Sequence, residues 1–375
     1  MLENLELLPA DPLFRLLGEY KADARTKKVN LGIGLYSDDQ GQPFVFPTIK
    51  EAFKEVDTND FNYQPIGGNR EYLQLTGQLL LGDLFDESQL AMQATSGGTQ
   101  ACRLFADLIC VEQKGRELLV GMPTWGNHLA IFGELTIRKF EHKAEGYKKV
   151  LEEAPEGSVL LLHGAKTHNP TGLNLTLEEL QNLIAIIKDR DHFVFVDMAY
   201  LGMGEGMEQD REYVKLLFRE LDNVACAVSY SKNASLYEHR TGALCVKTKQ
   251  PKAVESQLQR IIRTSISMAP GIGQEIMINV LKNKKTAWLA GLETVRQTIE
   301  ARKMALVEML PAEFDYLKNC RGMFGLMPFT EAQIERLKAE FAIFMPSNGR
   351  INFGGIEVAD IDYLVESMNT VTNEK

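Results

Sequence analysis

Residues 158–200 read SVLLLHGAKTHNPTGLNLTLEELQNLIAIIKDRDHFVFVDMAY, and this stretch decides the fold class. Two continuous apolar runs, Val159–His163 and Phe193–Asp197, flank a segment whose leucines and isoleucines have helical spacing. Thr176-Leu-Glu-Glu179 is a capping box, which predicts the start of that helix. Strands that are apolar throughout and separated by a helix are typical of a parallel sheet covered on both faces.

The same pattern continues on either side of this stretch, where further strands are predicted at Leu118–Gly121, Val224–Ser229 and Ala243–Lys247. A long helix is predicted from about Lys284 to Leu310, ending before Pro311, and a second capping box stands at Thr330–Gln333. We therefore expect a large α/β domain, residues 44–296, with a mostly parallel central sheet between helices. A smaller α+β domain follows at residues 297–375.

Composition narrows the function classes. The 375 residues are 45% hydrophobic and 25% charged with a net charge of −10, which argues against a general nucleic-acid or anionic-membrane binder. The five cysteines are odd in number and scattered, and the N-terminal dozen residues lack the features of a secretory signal. No apolar run reaches the ~18–20 residues of a membrane span. We expect a cytoplasmic protein without a metal site, since the histidines show no metal-binding spacing.

Polar groups follow several of the predicted strands, and open α/β sheets bind ligands at these strand ends. Asp197 ends one strand, and a carboxylate there is costly unless a cation or several donors meet it. Ser96-Gly-Gly-Thr99 opens a helix and predicts an anion site. Lys232 follows another strand in Ser229-Tyr-Ser-Lys232, with Arg240 eight residues later. Each feature alone also fits a cap, a turn or a surface cation.

Taken together, these groups match the needs of one cofactor, pyridoxal 5'-phosphate. Its aldehyde requires a lysine, its pyridine nitrogen an acidic partner, and its phosphate a glycine-rich helix start with an arginine. Trp125, in a polar loop after a strand, offers a ring that stacks on a planar ligand. A lysine that loses its hydration near other cations has a lowered pKa and becomes a nucleophile.

At this point the sequence resembles the aspartate/aromatic aminotransferases, which are class I, fold type I pyridoxal-phosphate enzymes. The similarity spans nearly the whole chain, and its most specific motifs are SYSKN followed by LYEHRTGA, and HNPTG. It also includes VNLGIGLYSDDQGQP, NYQPIGG, ATSGGTQACRLFAD, PTWGNH, FVDMAYLGMGEGMEQD and NGRINFGGI. The resemblance places residues 12–43 in the small domain beside 297–375 and makes residues 1–11 an N-terminal arm.

The resemblance also implies roles for individual residues. Lys232 forms the Schiff base with the cofactor, and Asp197 is the partner of the pyridinium, supported from behind by His128. Asn169 and Tyr200 bond the cofactor's phenolic oxygen, and Trp125 stacks on the ring. The phosphate cup is formed by Gly98, Thr99, Ser229 and Arg240.

Substrate binding and assembly are implied in the same way. Arg350 holds the substrate α-carboxylate beside the backbone of Gly34. Tyr63 and Arg263 reach across a homodimer interface, Tyr63 to the phosphate and Arg263 to a side-chain carboxylate. One departure lies near Arg263, because Ser267-Met-Ala-Pro270 replaces the family's Ser-Asn-Pro-Pro.

The expected activity is transfer of the amino group of L-aspartate to 2-oxoglutarate through Lys232, with Asp197 and Tyr200 as the other catalytic residues. Aromatic amino acids are possible further substrates or the main ones. Two alternatives stay open: a β-lyase reaction on the same scaffold, and a non-catalytic binding module. The chain retains the lysine and shows no added DNA-binding segment, which disfavours the module.

Overall fold

The computed structural model describes residues 2–38, 40–57, 62–112, 115–164 and 167–373. The chain divides into two compact units. The larger unit is Phe44–Gln297, and the smaller one combines Met1–Pro43 with Thr298–Lys375.

The described chain contains the following helices: α1 (Pro12–Ala22), α2 (Pro47–Glu55), α3 (Arg70–Leu81), α4 (Gly97–Glu112), α5 (Gly126–Ile131), α6 (Ala144–Glu153), α7 (Leu177–Asp189), α8 (Met207–Glu220), α9 (Pro251–Ser265), α10 (Ile272–Asn279), α11 (Lys285–Val307), α12 (Glu331–Phe341) and α13 (Ile361–Asn373). Its strands are β1 (Val29–Asn30), β2 (Leu90–Ser96), β3 (Glu117–Met122), β4 (Thr136–Glu141), β5 (Val159–His163), β6 (Phe193–Met198), β7 (Val224–Ser229), β8 (Thr241–Lys247), β9 (Phe324–Leu326), β10 (Ile343–Phe344) and β11 (Arg350–Asn352). None of the described helices is both long enough and apolar enough to cross a membrane.

A seven-stranded sheet organises the larger unit, in the order β2-β8-β7-β6-β5-β3-β4. The pairs from β7 through to β4 are parallel, and β8 runs antiparallel to both of its neighbours. The expected mostly parallel α/β sheet is therefore confirmed. Parallel strands bring their carboxyl ends to one edge of the sheet, which is where the polar groups of the sequence lie.

Two strands of this sheet, β2 and β4, lack the continuous apolar run by which strands are predicted from the sequence. β2 carries the polar residues Gln93 and Thr95 inside the core, so it is not a continuous apolar run. β4 is an edge strand with partly exposed charged side chains, including Arg138 and Lys139, which removes the apolar signal of a central strand.

Helix α4 packs on one face of the sheet and contacts β6 through a pair of stacked aromatic rings. The rings of Phe105 and Phe195 stack with centroids 4.2 Å apart and planes 9° from parallel. The capping box predicted at Thr176–Glu179 is present, with both reciprocal hydrogen bonds, and begins α7. The long predicted helix is also present, but a π-helical segment, Val280–Lys284, joins α11 to the preceding α10. A π-helical segment of only five residues does not change the spacing of the apolar residues enough to be predicted from the sequence.

The smaller unit has two short two-stranded sheets, a parallel pair of β1 with β10 and an antiparallel pair of β9 with β11. The capping box at Thr330–Gln333 begins α12 as predicted. A buried arginine, Arg302, holds the chain near β1 because its Nη1 donates to the carbonyls of Ser37 and Gly354 at 2.9 and 3.0 Å. Arg302 therefore links Ser37 to Gly354 within this unit.

Candidate active site

A cavity of about 100 Å³ opens in the larger unit at the carboxyl edge of the sheet. Its lining consists of Gly98, Thr99, Trp125, His163, Asn169, Asp197, Ala199, Tyr200, Ser229, Ser231, Lys232 and Arg240. Nine of these residues are those that the sequence singled out. Strand ends and the start of α4 supply them, so one sheet edge positions the whole set.

Asp197 lies in β6 near its carboxyl end and is buried. Its Oδ2 is 2.9 Å from Nε2 of the fully buried His128. An ionised carboxylate only accepts, so Nε2 of His128 donates and Nδ1 of a neutral ring accepts from Thr124 Oγ1, 2.9 Å away. Thr124 in turn accepts from Nε2 of His163 at 2.9 Å. In this series of hydrogen bonds the Thr124 hydroxyl donates to His128 and accepts from His163, so the donor and acceptor roles are consistent.

The loop that carries Lys232 is held rigidly on both sides. Before the lysine, the buried Tyr230 bonds Thr76 across 3.0 Å. After it, Trp288 donates from Nε1 to the carbonyl of Asn233 at 2.9 Å, and both side chains are buried. The Nζ atom of Lys232 lies 5.4 Å from the centre of the Tyr200 ring. The amine is therefore delivered to the cavity by a segment with little freedom to move.

The start of α4 forms a cradle for an anion. Gly97 has φ = +77°, and a Cβ there would lie 2.5 Å from Nη2 of Arg240. A Cβ added to Gly98 would lie 3.0 Å from the Cβ of Ser229. The positive φ favours glycine at Gly97, and a side chain at either glycine would press on Arg240 or Ser229.

Donors of three kinds meet at this cradle: backbone N–H groups of the first turn of α4, hydroxyls and a guanidinium. Arg240 is fixed by donating to the carbonyls of Ser96 and Tyr237, both at 3.2 Å, and to Ser231 Oγ at 3.4 Å. A helix start combined with an arginine is the arrangement that favours a phosphate. The donor set therefore fits the phosphate of pyridoxal phosphate, with an amine and a carboxylate in the same cavity.

Three histidine rings, those of His163, His168 and His142, contact one another in series and form a histidine column. None of the three was predicted as a site residue. The rings of His163 and His168 have centroids 4.2 Å apart, and those of His168 and His142 stack at 3.7 Å. Burial lowers the pKa of His163 and His168 well below the usual value, and the neighbouring histidines lower it further. These rings are therefore neutral at neutral pH.

The sequence missed His163, Ala199 and Ser231 as lining residues. His163 ends β5 at the point where that strand pairs with Asp197 of β6, a neighbour that only the sheet register reveals. Cys102 was also missed; its Sγ, a ring nitrogen of His128 and a carboxylate oxygen of Asp197 lie within 4.8 Å of one another. These are types of side chain that bind metals, but the His128–Asp197 hydrogen bond already accounts for the approach of two of them.

The remaining predicted residues lie elsewhere in the described chain. Tyr63 is 87% exposed, and Arg263 is exposed in the last turn of α9, and neither is among the lining residues. In the smaller unit, the Arg350 guanidinium lies 4.5 Å from the Phe324 ring centre and donates to the carbonyl of Gly32. A Cβ on Gly34 would lie 3.0 Å from the same Phe324 ring. Arg350 and Gly34 are thus brought to one aromatic side chain.

The family model "Aminotransferase class I and II" matches residues 26–368. The chain is 33% identical to an aspartate aminotransferase of Haemophilus influenzae, covering 98% of this chain and 99% of that protein.

Solved structures agree with this similarity. An aromatic-amino-acid aminotransferase from Burkholderia pseudomallei, covalently bound to pyridoxal phosphate, matches with a TM-score of 0.93 and 31% identity, covering 99% of both chains. A psychrophilic aromatic amino acid aminotransferase from Psychrobacter sp. B6, cocrystallised with aspartic acid, matches with a TM-score of 0.95 and 30% identity over both whole chains. The chain therefore belongs to the class I and II aminotransferases, and it is a pyridoxal-phosphate-dependent transaminase of fold type I.

Proposed function

We propose that the enzyme transfers the amino group of L-aspartate to 2-oxoglutarate and also accepts aromatic amino acids. The observation that carries this proposal is the meeting of Lys232, Asp197 and Arg240 around one cavity at the sheet edge. An amine, a buried carboxylate and an anion cradle are the three groups that a phosphorylated pyridine aldehyde requires. When bound, the cofactor supplies an electron sink for the carbanion formed at the substrate α-carbon.

The residues of the larger unit divide the binding task. The first turn of α4 with Gly98 and Thr99, together with Ser229 and Arg240, holds the phosphate. Asp197 would be the partner of the pyridine nitrogen and would keep it protonated, because a buried carboxylate stabilises a nearby positive charge. Asn169 and Tyr200 would bond the phenolic oxygen, and the Trp125 ring would stack on the pyridine; all three residues line the cavity.

Lys232 has two tasks in this proposal. Its amine would anchor the cofactor and would also act as the general base that moves a proton away from the substrate α-carbon. The rigid loop around Tyr230 and Asn233 supports this role, because proton transfer requires a base within hydrogen-bond reach.

We infer that two arginines select the substrate. Arg350, with the Gly34 backbone, binds the α-carboxylate, and Arg263 from a partner subunit binds the side-chain carboxylate of aspartate. The planar guanidinium donates two parallel hydrogen bonds to a carboxylate, which suits both positions. The cocrystallisation of an aromatic-acid relative with aspartic acid supports one site that serves both substrate types.

A homodimer completes the proposed site. The exposed ring of Tyr63 and the exposed Arg263 are expected to reach the partner's cavity. Residues 1–11 are expected to lie on the partner as an arm. Four leucines of this segment, Leu2, Leu5, Leu7 and Leu8, are 75–100% exposed in the single chain, which supports a covering surface. The five free cysteines support the expected cytoplasmic location.

Aromatic amino acids as main substrates form the second candidate, favoured by Met268 and Ala269 in place of polar or rigid residues after Arg263. An assay of amino-acid consumption with and without 2-oxoglutarate tests the proposal. Strict dependence on 2-oxoglutarate, with one keto acid formed per glutamate, is expected for a transaminase. Without an acceptor a transaminase forms at most one keto acid per cofactor. Repeated turnover of an S-substituted cysteine to pyruvate, ammonia and the free thiol without an acceptor would show a β-lyase instead.

A further inference from the structure

Helix α4 presents Cys102 to the carboxylate of Asp197. Along β6, Asp197 is two residues beyond Phe195 and therefore lies on the same face of the sheet. Phe195 stacks on Phe105 of α4, and Cys102 lies three residues earlier on that helix, one turn closer to its start. The two-residue step along β6 and the three-residue step along α4 therefore place Asp197 and Cys102 side by side. The Sγ atom of Cys102, a His128 ring nitrogen and an Asp197 oxygen lie within 4.8 Å of one another.

All three side chains of this cluster are buried, with 0%, 0% and 8% of Cys102, His128 and Asp197 exposed. Burial raises the pKa of the Cys102 thiol well above its usual value, and the charge of Asp197 and then Cys226 raise it further. The sulfur therefore keeps its proton and acts as a donor. His128 is no acceptor for it on the Asp197 side, because Nε2 already donates to Asp197.

We propose that Cys102 is a positioning residue whose S–H group donates a second side-chain hydrogen bond, beside that of His128, to the carboxylate of Asp197. The inference rests on the proposed role of Asp197 toward the cofactor. A second donor draws negative charge away from the oxygens that face the cavity. Cys102 thereby weakens the field by which Asp197 stabilises positive charge there.

The size of the effect follows from the donor. An S–H group is a weak donor, but the acceptor is charged and the surroundings have a low dielectric constant. We expect it to shift the titration of groups in the cavity by about half a pH unit. The titratable and charged groups around Asp197 are Cys102 on α4, His128 on α5, His163 on β5, Cys226 on β7, and Tyr200, Lys232 and Arg240 in the loops.

The first test is the infrared S–H stretching band of the holoenzyme, assigned by difference from Cys102→Ala. Cys102→Ser also lacks the band and serves for the assignment if the alanine variant does not fold. We expect the Cys102 band at a lower frequency than those of the other buried thiols, and a shift to higher frequency in Asp197→Asn, whose amide is a weaker acceptor. If the frequency of the Cys102 band is unchanged in Asp197→Asn, the thiol donates to the backbone of its own helix, and the proposal is wrong.

The second test is the pH titration of the visible absorbance of the bound cofactor. Cys102→Ala removes the donor, so the midpoint should rise by about half a unit, whereas Cys102→Ser supplies a stronger donor and should lower it. Both variants are smaller than cysteine, so a role in packing alone would move the midpoint in one direction for both. The matched control is Cys245→Ala and Cys245→Ser, a buried thiol outside the cluster.

The two measurements separate the two possible failures. The infrared shift reports the thiol–carboxylate contact and does not depend on what Asp197 does for the cofactor. An infrared response with unshifted absorbance titrations in the Cys102 variants would overturn the electrostatic effect of Cys102, whereas an unshifted titration in Asp197→Asn would overturn the role proposed for Asp197. An absent infrared response overturns the Cys102 contact alone.

Discussion

Nε2 of His128 lies 2.9 Å from Oδ2 of Asp197, and the hydroxyl of Thr124 bonds the opposite nitrogen of the same ring. Because a carboxylate accepts, Nε2 of His128 donates to Asp197, and the Thr124 hydroxyl supplies the donor that the opposite nitrogen then accepts. The arrangement gives the buried Asp197 a side-chain donor, which an acidic group in the core requires.

Thr124→Val should weaken catalysis, because valine keeps the shape of threonine but cannot hold Nδ1 of His128 as acceptor. Loss of one hydrogen bond of about 1 kcal/mol corresponds to roughly a five-fold fall in kcat/KM. The matched control is Thr124→Ser, which keeps the hydroxyl and should retain near wild-type kinetics. Equal losses in both variants would indicate that the methyl group, rather than the hydroxyl, matters.

The histidine column predicts a loss of stability in acid. Since burial lowers the pKa of His163 and His168, the unfolded chain binds protons below about pH 6.5 that the folded chain does not. Each of these histidines therefore lowers the free energy of unfolding by up to about 1.4 kcal/mol per pH unit as the pH falls below 6.5.

Urea unfolding of wild type and His168→Asn at several pH values between 8 and 5 checks this prediction. Burial raises the pKa of Asp210 to about 7, so that carboxyl stabilises the fold increasingly as the pH falls from 7 toward 4. Its contribution is the same in both proteins and cancels in their difference. The advantage of wild type over the variant should shrink below pH 6.5; an advantage that is constant with pH would contradict a neutral His168.

Shared active sites should be visible in mixed dimers. Lys232→Ala and Arg263→Ala homodimers should each lack most aspartate activity, the first because it loses both anchor and base. A heterodimer formed by subunit exchange contains one site with both residues intact, so part of the activity should return. No recovery after verified exchange would place Arg263 in its own subunit's site or outside any site.

The two arginines should separate substrates. Truncating one partner of a buried charge pair costs about 2–5 kcal/mol, which is roughly 30- to 4000-fold in kcat/KM at ~1.4 kcal/mol per tenfold. Arg263→Ala should lose that much for aspartate and far less for phenylalanine, whereas Arg350→Ala should harm both alike. The measurement is kcat/KM for aspartate, tyrosine and phenylalanine in wild type and both variants. Equal losses for all three substrates in Arg263→Ala would remove its role in binding the side-chain carboxylate.

Much of the large sheet could be predicted from the sequence, because buried parallel strands are continuous apolar runs. β5 and β7 begin and end at the predicted residues. β4 could not be found this way, since an edge strand carries charges.

The site was predictable where a motif follows a strand, as at Asp197 and Lys232. His163 and Cys102 were not, for a physical reason. Their importance depends on which residues the sheet register and the α4 packing place beside Asp197. Local sequence does not encode such neighbours, and a buried cysteine in an apolar helix is typical of ordinary core packing.

The most direct test of the account is the location of the cofactor on the chain. The purified protein is saturated with pyridoxal phosphate, reduced with borohydride and digested, and its peptides are mapped by mass. We expect one phosphopyridoxyl group, on Lys232, and a Lys232→Ala variant that takes up no reducible label and loses transamination by several orders of magnitude. A label on another lysine, or none after saturation, would contradict the assignment of Lys232 and of the cavity built around it.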